Sequence, residues 1–204
     1  MRAIILNGHG GVDALEYVEN FPDPECGKDD VVVRVKSTSL NYHDIFTRNG
    51  MPGIKISMPM ICGLDVAGEI AEIGANVSGW KIGERVLIDP RNRVEGGLVG
   101  ETIHGGLAEY CRVKEHQLVR IPDGVSFDQA SSLPVAYGTA HRMMMTIGQV
   151  TSDDKILILG ASGGVGTGAL LLAKMAGAEV VVCASSESKM EKLKSLGADY
   201  AMTS

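Results

Sequence analysis

A glycine-rich segment at residues 160–166, GASGGVG, follows an apolar run and precedes residues with helical spacing. This order of strand, tight turn and helix start suits a dinucleotide. Backbone without Cβ atoms lets the pyrophosphate approach, and unpaired N–H groups stabilise its charge. Ala161 stands where the GxGxxG pattern has its first glycine, and glycines at such junctions also serve packing alone. The flanking strands and helices favour binding, and the predicted cofactor contacts are Ser162, Gly163, Gly164, Val165 and Gly166.

A second polar cluster follows the next apolar strand, which ends within residues 182–186, VCASS. An NAD-specific site usually has Asp or Glu at this strand end, about 20 residues past the glycines, to bind the ribose 2′-OH. Here no carboxylate stands at the strand end to repel a 2′-phosphate, and Ser185, Ser186 and Lys189 have groups that bind one. The pattern favours NADPH over NADH, although Glu187 is close by and serines at a helix start are often plain caps.

Several further segments complete an ordered set of motifs. They are residues 40–44 (LNYHD), 63–68 (GLDVAG), 105–110 (GGLAEY), 133–140 (LPVAYGTA) and 196–199 (LGAD). Together with the glycine loop they resemble the medium-chain dehydrogenase/reductase superfamily along essentially the whole chain. The resemblance implies a GroES-like catalytic domain followed by a nucleotide-binding Rossmann domain.

Metal ligands separate the branches of this superfamily. By the motif match, the three catalytic zinc positions fall at Asn41, Leu64 and Val135, and none of these side chains binds zinc tightly. The lobe at residues 90–100 has no cysteine for a structural zinc. The chain therefore resembles the zinc-free quinone oxidoreductase branch, which includes zeta-crystallin-like proteins and enoyl reductases. An improvised metal site would have to come from His43, Cys62 and Asp65.

The resemblance also implies a reaction. Without a Lewis acid, an isolated ketone is hard to reduce, whereas a quinone or a conjugated enone spreads the charge that hydride attack creates. We expect NADPH-dependent hydride transfer to such a substrate, with Asn41 lining the pocket and Thr139 near the nicotinamide. Tyr42 and His43 are the candidate proton donors. Each has a plainer alternative: Thr139 as a packing residue, Tyr42 as a core aromatic and His43 as a solvent-facing side chain.

Two other functions stay open at this point. One is a zinc-type alcohol dehydrogenase, which would contain zinc. The other is a catalytically silent NADPH-binding, crystallin-like protein, which would bind the cofactor without turning over a quinone or an enone.

The elements that position these residues change character along the chain. Residues 1–122 have short strands and glycine-rich turns, which predict the GroES-like β-barrel-type domain. Residues 123–204 predict β-α-β-α-β, the first half of a Rossmann doubly wound parallel sheet. We therefore expect the N-terminal part of a longer protein, inactive as residues 1–204 alone and a homodimer when full length.

The individual elements follow from periodicity and turn residues. Strands are expected at residues 3–6, 30–36, 69–73, 85–88, 107–113, 155–159, 180–183 and 199–202. Helices are expected at residues 127–132, 135–147, 165–176 and 188–196. The apolar run at 155–159 predicts a strand buried on both faces, and Ser188 with Glu191 has capping-box spacing.

Composition excludes several classes of partner. A net charge of −6 without a basic run argues against nucleic acid binding. No apolar stretch is long enough for a membrane span or a signal peptide. The four cysteines are scattered, so reduced thiols and a cytoplasmic protein with a small-molecule substrate are expected.

Overall fold

Short strands separated by glycine and proline build the first unit, Met1–Pro134, in the computed structural model, which describes residues 1–203. Its elements in chain order are β1 (Ala3–Leu6), β2 (Leu15–Val18), β3 (Asp30–Ser39), α1 (Tyr42–Asn49), β4 (Met60–Ile61), β5 (Asp65–Ile73), β6 (Arg85–Ile88), β7 (Tyr110–Lys114), β8 (Leu118–Arg120) and α2 (Phe127–Ser131). Short 3-10 turns lie at Val12–Ala14 and Glu115–Gln117. Sequence patterns missed β2, β4, β8 and α1, because elements this short, or this polar, give little periodicity.

Two antiparallel sheets form this unit, with the strand orders β2-β1-β4 and β7-β3-β5-β6-β8. β3 and β5 are the central pair of the larger sheet, from Val31 opposite Ile73 to Ser39 opposite Asp65. The fully buried valines and isoleucines of these strands form its core. The GroES-like fold that the sequence predicts is confirmed, and the register brings the end of β3 beside the start of β5.

Helix α2 packs with the first unit. Its Ala130 is buried against Ala67 of β5 and Ile121. The hydroxyl groups of Ser131 and of Ser37 in β3 are hydrogen-bonded, with 2.9 Å between their oxygens. The predicted boundary between residues 122 and 123 therefore falls before α2, whereas the first unit extends past it to Pro134. The difference arises because the small buried side chain of Ala130 fits against the larger sheet.

Alternating strands and helices make up the second unit, which begins at Val135. Its elements are α3 (Ala136–His141), a π-helical stretch (Arg142–Ile147), β9 (Lys155–Ile158), α4 (Gly164–Met175), β10 (Glu179–Ala184), α5 (Glu187–Ser195) and β11 (Tyr200–Thr203). The three strands are parallel in the order β11-β10-β9. Leu170, Val180, Val182 and Leu193 are buried in the core between sheet and helices. The predicted β-α-β-α-β half of a Rossmann sheet is confirmed.

Two local predictions are wrong. β9 is not buried on both faces: Leu157 is 59% exposed, because β9 is an edge strand of the sheet within residues 1–203 and one of its faces is uncovered there. Helix α5 begins one residue before Ser188, with Ser186 in extended backbone as its N-cap, so the expected capping box between Ser188 and Glu191 does not form. Among the helices of residues 1–203, none has the length and apolar character to cross a bilayer.

Candidate active site and cofactor site

A buried carboxylate organises the candidate catalytic region of the first unit. Asp65, at the start of β5, is fully buried, and its Oδ2 accepts hydrogen bonds from Ser39 Oγ at 2.7 Å and Asn41 Nδ2 at 2.8 Å. Thr38 Oγ1 donates to the Asp65 carbonyl at 2.6 Å. Burying a carboxylate is costly unless donors satisfy it, so this network accounts for Asp65 lying in the core.

The network fixes the amide of Asn41. An ionised carboxylate only accepts hydrogen bonds, so Asn41 must turn its NH₂ group towards Asp65. Its Oδ1 is then the end of the amide that remains for other partners. Asn41 is also the N-cap of α1, where its backbone N–H donates to Asp44 Oδ2 at 2.8 Å.

Asp44 ties α1 to the loop before β5. Its Oδ1 accepts the Gly63 N–H at 3.0 Å, and burial raises the pKa of this carboxyl above its ordinary value of 3.8 against the opposing effect of its hydrogen bonds. Gly63 has φ +98°, and a Cβ there would lie 2.9 Å from the Leu107 nitrogen. The loop therefore needs glycine at this position.

The zinc positions implied by the motif match do not fit a zinc ion. Leu64, which is 1% exposed, and Val135 both have hydrocarbon side chains that cannot bind a metal ion. The side chain of Asn41 is an uncharged amide that is already hydrogen-bonded to Asp65. Burial raises the pKa of the Cys62 thiol to about 11, which disfavours the thiolate that binds metal. Within residues 1–203 no group of three or more His, Cys, Asp or Glu side chains is arranged to hold a metal ion, so His43, Cys62 and Asp65 do not form the alternative site.

The two candidate proton donors lie in the first turn of α1 and differ in their surroundings. His43 Nε2 is 2.6 Å from Glu101 Oε2, a partner that sequence patterns did not reveal. Tyr42 is 72% exposed and packs edge-to-face on Phe46, with 5.2 Å between the ring centroids. The alternative of Tyr42 as a core aromatic is therefore wrong, and His43 is not a freely solvated side chain.

The predicted phosphate loop lies between β9 and α4 in the second unit. Gly160 has φ +61°, a conformation that favours glycine, and Gly163 is the N-cap of α4. A Cβ on Gly160 would meet nothing within 4 Å, and one on Gly163 would meet only the Gly160 oxygen at 3.5 Å. Bare backbone therefore faces open space where the first N–H groups of a helix have no partner within the helix. The residues present fit a pyrophosphate, because the open space and the helix start are those that an anion requires.

Gly166 and Ala161 in this loop also serve packing. A Cβ on Gly166 would lie 2.7 Å from both Ala161 Cα and the Gly160 oxygen, so this glycine lets the helix approach the strand end. Ala161 is fully buried in the core, and its N–H donates to the Cys183 carbonyl of β10 at 3.2 Å. Its methyl group fills core volume, which explains the departure from the GxGxxG pattern.

The side chains proposed for the ribose phosphate gather after β10. Lys189 Nζ donates to Ser185 Oγ at 3.0 Å, and Ser186 Oγ is 3.3 Å from Ser188 Oγ. Ser186 is the N-cap of α5, as the capping alternative expects, but its side chain makes no capping hydrogen bond to the helix. Ser185 and Lys189 are exposed and carry donors that an added phosphate requires.

Thr139 lies on α3, whose neighbouring residues contact α4. A Cβ on Gly168 would be 3.1 Å from the Cβ of Ala140, and one on Gly164 would be 3.2 Å from that of Ala136. These alanines, and not the exposed Thr139, make the helix contact. Thr139 is exposed within residues 1–203, and its predicted place near a nicotinamide stays a prediction.

Two family models match the chain. The alcohol dehydrogenase GroES-like domain matches residues 27–123, and the zinc-binding dehydrogenase family matches residues 164–204. The second description names a metal, and the motif match assigns its ligand positions to Asn41, Leu64 and Val135.

Individual relatives extend the match to nearly the whole chain. The chloroplastic NADPH-dependent alkenal/one oxidoreductase of Arabidopsis thaliana is 35% identical over 204 residues, covering 99% of this chain and 52% of that protein. Quinone-oxidoreductase QR1 of Triphysaria versicolor, also chloroplastic, is 37% identical over 207 residues, covering 98% and 60%. A crystal structure of an NAD-dependent alcohol dehydrogenase superposes with a TM-score of 0.92 at 33% identity, covering 100% and 63%. The chain spans about half to two thirds of the length of these proteins.

Proposed function

Because this chain belongs to the medium-chain dehydrogenase/reductase superfamily, we propose that the natural protein is an NADPH-dependent oxidoreductase that reduces a quinone or an α,β-unsaturated carbonyl without zinc. One observation supports the proposal: bare backbone at Gly160 and Gly163 faces open space, while a buried leucine, Leu64, fills a position that the motif match assigns to a zinc ligand. The relatives named for alkenal/one and quinone reduction support the substrate class.

In this proposal, one set of residues binds the cofactor and another orients the substrate. A bound nicotinamide dinucleotide supplies the hydride. Residues 162–166 hold its pyrophosphate through backbone N–H groups, and Thr139 lies near the nicotinamide. Asn41, held by Asp65, which also accepts a hydrogen bond from Ser39, presents a fixed amide to the substrate. Orientation and hydrogen bonding are enough for a conjugated acceptor, because delocalisation stabilises the charge that would otherwise need a metal.

The cofactor proposal is tested at the end of β10. We expect Lys189→Ala to weaken NADPH binding about tenfold, the size of one charge-assisted contact, and to leave NADH binding unchanged. Lys192→Ala, on the same helix, is the matched control. Equal losses for NADPH and NADH, or no loss with either, would contradict the choice of NADPH.

The reaction is tested on the natural gene product with whatever chain follows residue 204. We expect it to oxidise NADPH in the presence of a quinone or an enone and to contain no stoichiometric zinc by elemental analysis. Turnover of simple alcohols together with one zinc per chain would support the second candidate, an alcohol dehydrogenase, which the 0.92 TM-score to such a structure favours. NADPH binding without turnover on either substrate panel would identify a silent binding protein.

The remaining assignments belong to the same proposal. The proposal includes a small-molecule substrate, as the names of the quinone and alkenal/one relatives suggest, a homodimer in the full-length protein, and no membrane partner. The net charge of −6 supports the absence of a nucleic acid partner. A cytoplasmic location is proposed from the scattered cysteines, to be checked by fractionation, since the named plant relatives are chloroplastic.

A further inference from the structure

His43 and Glu101 form a short polar contact between two segments far apart in sequence. His43 Nε2 and Glu101 Oε2 are 2.6 Å apart across 58 residues of sequence separation. The side chain of Glu101 is 10% exposed and that of His43 is 28% exposed. A nearly buried carboxylate on a partly accessible imidazole is more constrained than a surface ion pair, and so it fixes the ring more firmly.

Glu101 directly follows the lobe at residues 90–100, whose last residue, Gly100, lies close to the loop before β5. Gly100 has φ +78°, and a Cβ there would lie 2.7 Å from the Gly63 carbonyl carbon. Its N–H donates to the Ile103 carbonyl at 2.7 Å, and the Glu101 N–H donates to the Leu98 carbonyl at 3.1 Å. This lobe resembles the family's structural zinc lobe without its cysteines, and here backbone contacts place Glu101 beside α1.

The contact determines which ring nitrogen of His43 carries a proton. Glu101, when ionised, only accepts hydrogen bonds, so Nε2 must carry the hydrogen that points to it. Within residues 1–203 Nδ1 has no hydrogen-bond partner. We propose that Glu101 is a positioning residue that holds His43 with Nδ1 directed to the substrate, which makes His43, and not Tyr42, the proton donor. This inference rests on the proposed function.

The proton balance is simple. A bound nicotinamide dinucleotide would supply a hydride, and with it the electron pair, to the conjugated acceptor, and the reduced substrate would then need one proton. His43, doubly protonated, breaks its Nδ1–H bond and the substrate forms a new bond to hydrogen. His43 is left neutral with Nε2–H still held by Glu101, and water returns the proton to Nδ1. Glu101 accepts from Nε2–H before and after the transfer, and its carboxylate faces the ring while the ring carries positive charge, the role an acidic partner has beside a histidine.

The decisive variant is Glu101→Gln, because a glutamine oxygen still accepts from Nε2 while the negative charge is gone. We expect kcat for quinone or enone reduction to fall tenfold or more, with KM changed less than about twofold, since general acids contribute roughly 10²–10⁴-fold. Glu95→Gln is the matched control: it lies in the lobe at residues 90–100, is exposed and pairs with Lys114 at 3.2 Å. We expect no change in kcat there.

A second readout does not depend on turnover. Nitrogen chemical shifts of His43 in the wild-type protein should report the Nε2–H tautomer when the ring is neutral, and Glu101→Ala should shift the population towards Nδ1–H. A wild-type Nδ1–H tautomer, or a Glu101→Gln variant with full kcat, would overturn the role of Glu101. A Glu101→Gln protein that is less stable but keeps kcat once folded would show that the His43–Glu101 pair only stabilises the fold. That result would also overturn the positioning role of Glu101.

These failures differ from a failure of the proposed function. A wild-type protein inactive with every quinone and enone refutes the function and the proton-donor role together. An active wild type with an indifferent Glu101→Gln variant refutes the role of Glu101 alone.

Discussion

The two candidate sites of this chain are built in opposite ways. In the first unit, a buried carboxylate, Asp65, collects donors from Ser39 and Asn41, so the site depends on which side chains are present. In the second unit, the loop at residues 160–166 offers backbone and open space, so the site depends on side chains being absent. The comparison shows that substitutions should act by removing partners in one site and by adding atoms in the other.

The largest effect is expected for Asp65→Ala. It removes the acceptor of two donors, and each buried unsatisfied polar group costs about 1–3 kcal/mol, so the free energy of unfolding should fall by roughly 3 kcal/mol or more. Denaturant unfolding measures this change. Asp13→Ala, at an exposed aspartate, is the control and should change stability by less than ~0.5 kcal/mol. A loss for Asp65→Ala as small as the control's would mean that the network is not a structural unit.

Gly166→Ala should destabilise by adding an atom. The new Cβ would meet backbone atoms at 2.7 Å, and overpacking of this kind costs about 1–3 kcal/mol. Thermal or urea unfolding would register it. Gly8→Ala offers a comparison at a site where a Cβ meets nothing within 4 Å. If both variants proved equally stable, close packing would not explain the glycine at 166.

Gly163→Ala should separate binding from folding. Its backbone, φ −80°, suits alanine, and the nearest contact of the new Cβ is 3.5 Å, so we expect a stability loss below about 1 kcal/mol. NADPH affinity should nevertheless drop tenfold or more, because the methyl group occupies the space intended for phosphate. Calorimetric titration with NADPH checks this. Unchanged affinity would argue that residues 160–166 only join strand to helix.

The smallest expected effect concerns pH. The hydrogen bond from Lys174 and that from the Val180 N–H lower the pKa of Asp199, so its stabilising contribution is present above the ordinary value of 3.8 and is lost as pH falls through the lowered value. Burial raises the pKa of Asp44, so its contribution is present below 3.8 and is lost as pH rises through the raised value.

The two aspartates should therefore give opposite slopes. Relative to Asp199→Asn, the wild type should gain stability with rising pH, and relative to Asp44→Asn it should lose stability. Unfolding midpoints measured from about pH 3 upwards test this. Parallel slopes for the two variants would show that burial does not dominate at Asp44.

Sequence reasoning succeeded best where the signal is local. The glycines, the apolar strand and the helix start of the phosphate loop lie within a dozen or so residues, so spacing alone predicted its fold. The same reasoning predicted burial for the strand at residues 155–159 and failed, because burial depends on what lies beside a strand and not on its own composition. Leu157 is apolar and still 59% exposed.

The side-chain site shows the complementary difficulty. The family resemblance indicated Asn41, but its hydrogen bond to Asp65 joins residues 24 positions apart. The contact of His43 with Glu101 depends on the course of a lobe with little regular structure, and no periodicity marks it. Such partners become visible only when register and loop packing are known.

The hydrogen bond from the Ala161 N–H to the Cys183 carbonyl ties the turn after β9 to the last residues of β10. This hydrogen bond therefore links the loop proposed to bind the pyrophosphate to the strand end proposed to bind the ribose. The bond must break before the two segments can move apart. The rate at which the Ala161 amide proton exchanges with deuterated water should therefore measure how often this end of the sheet opens.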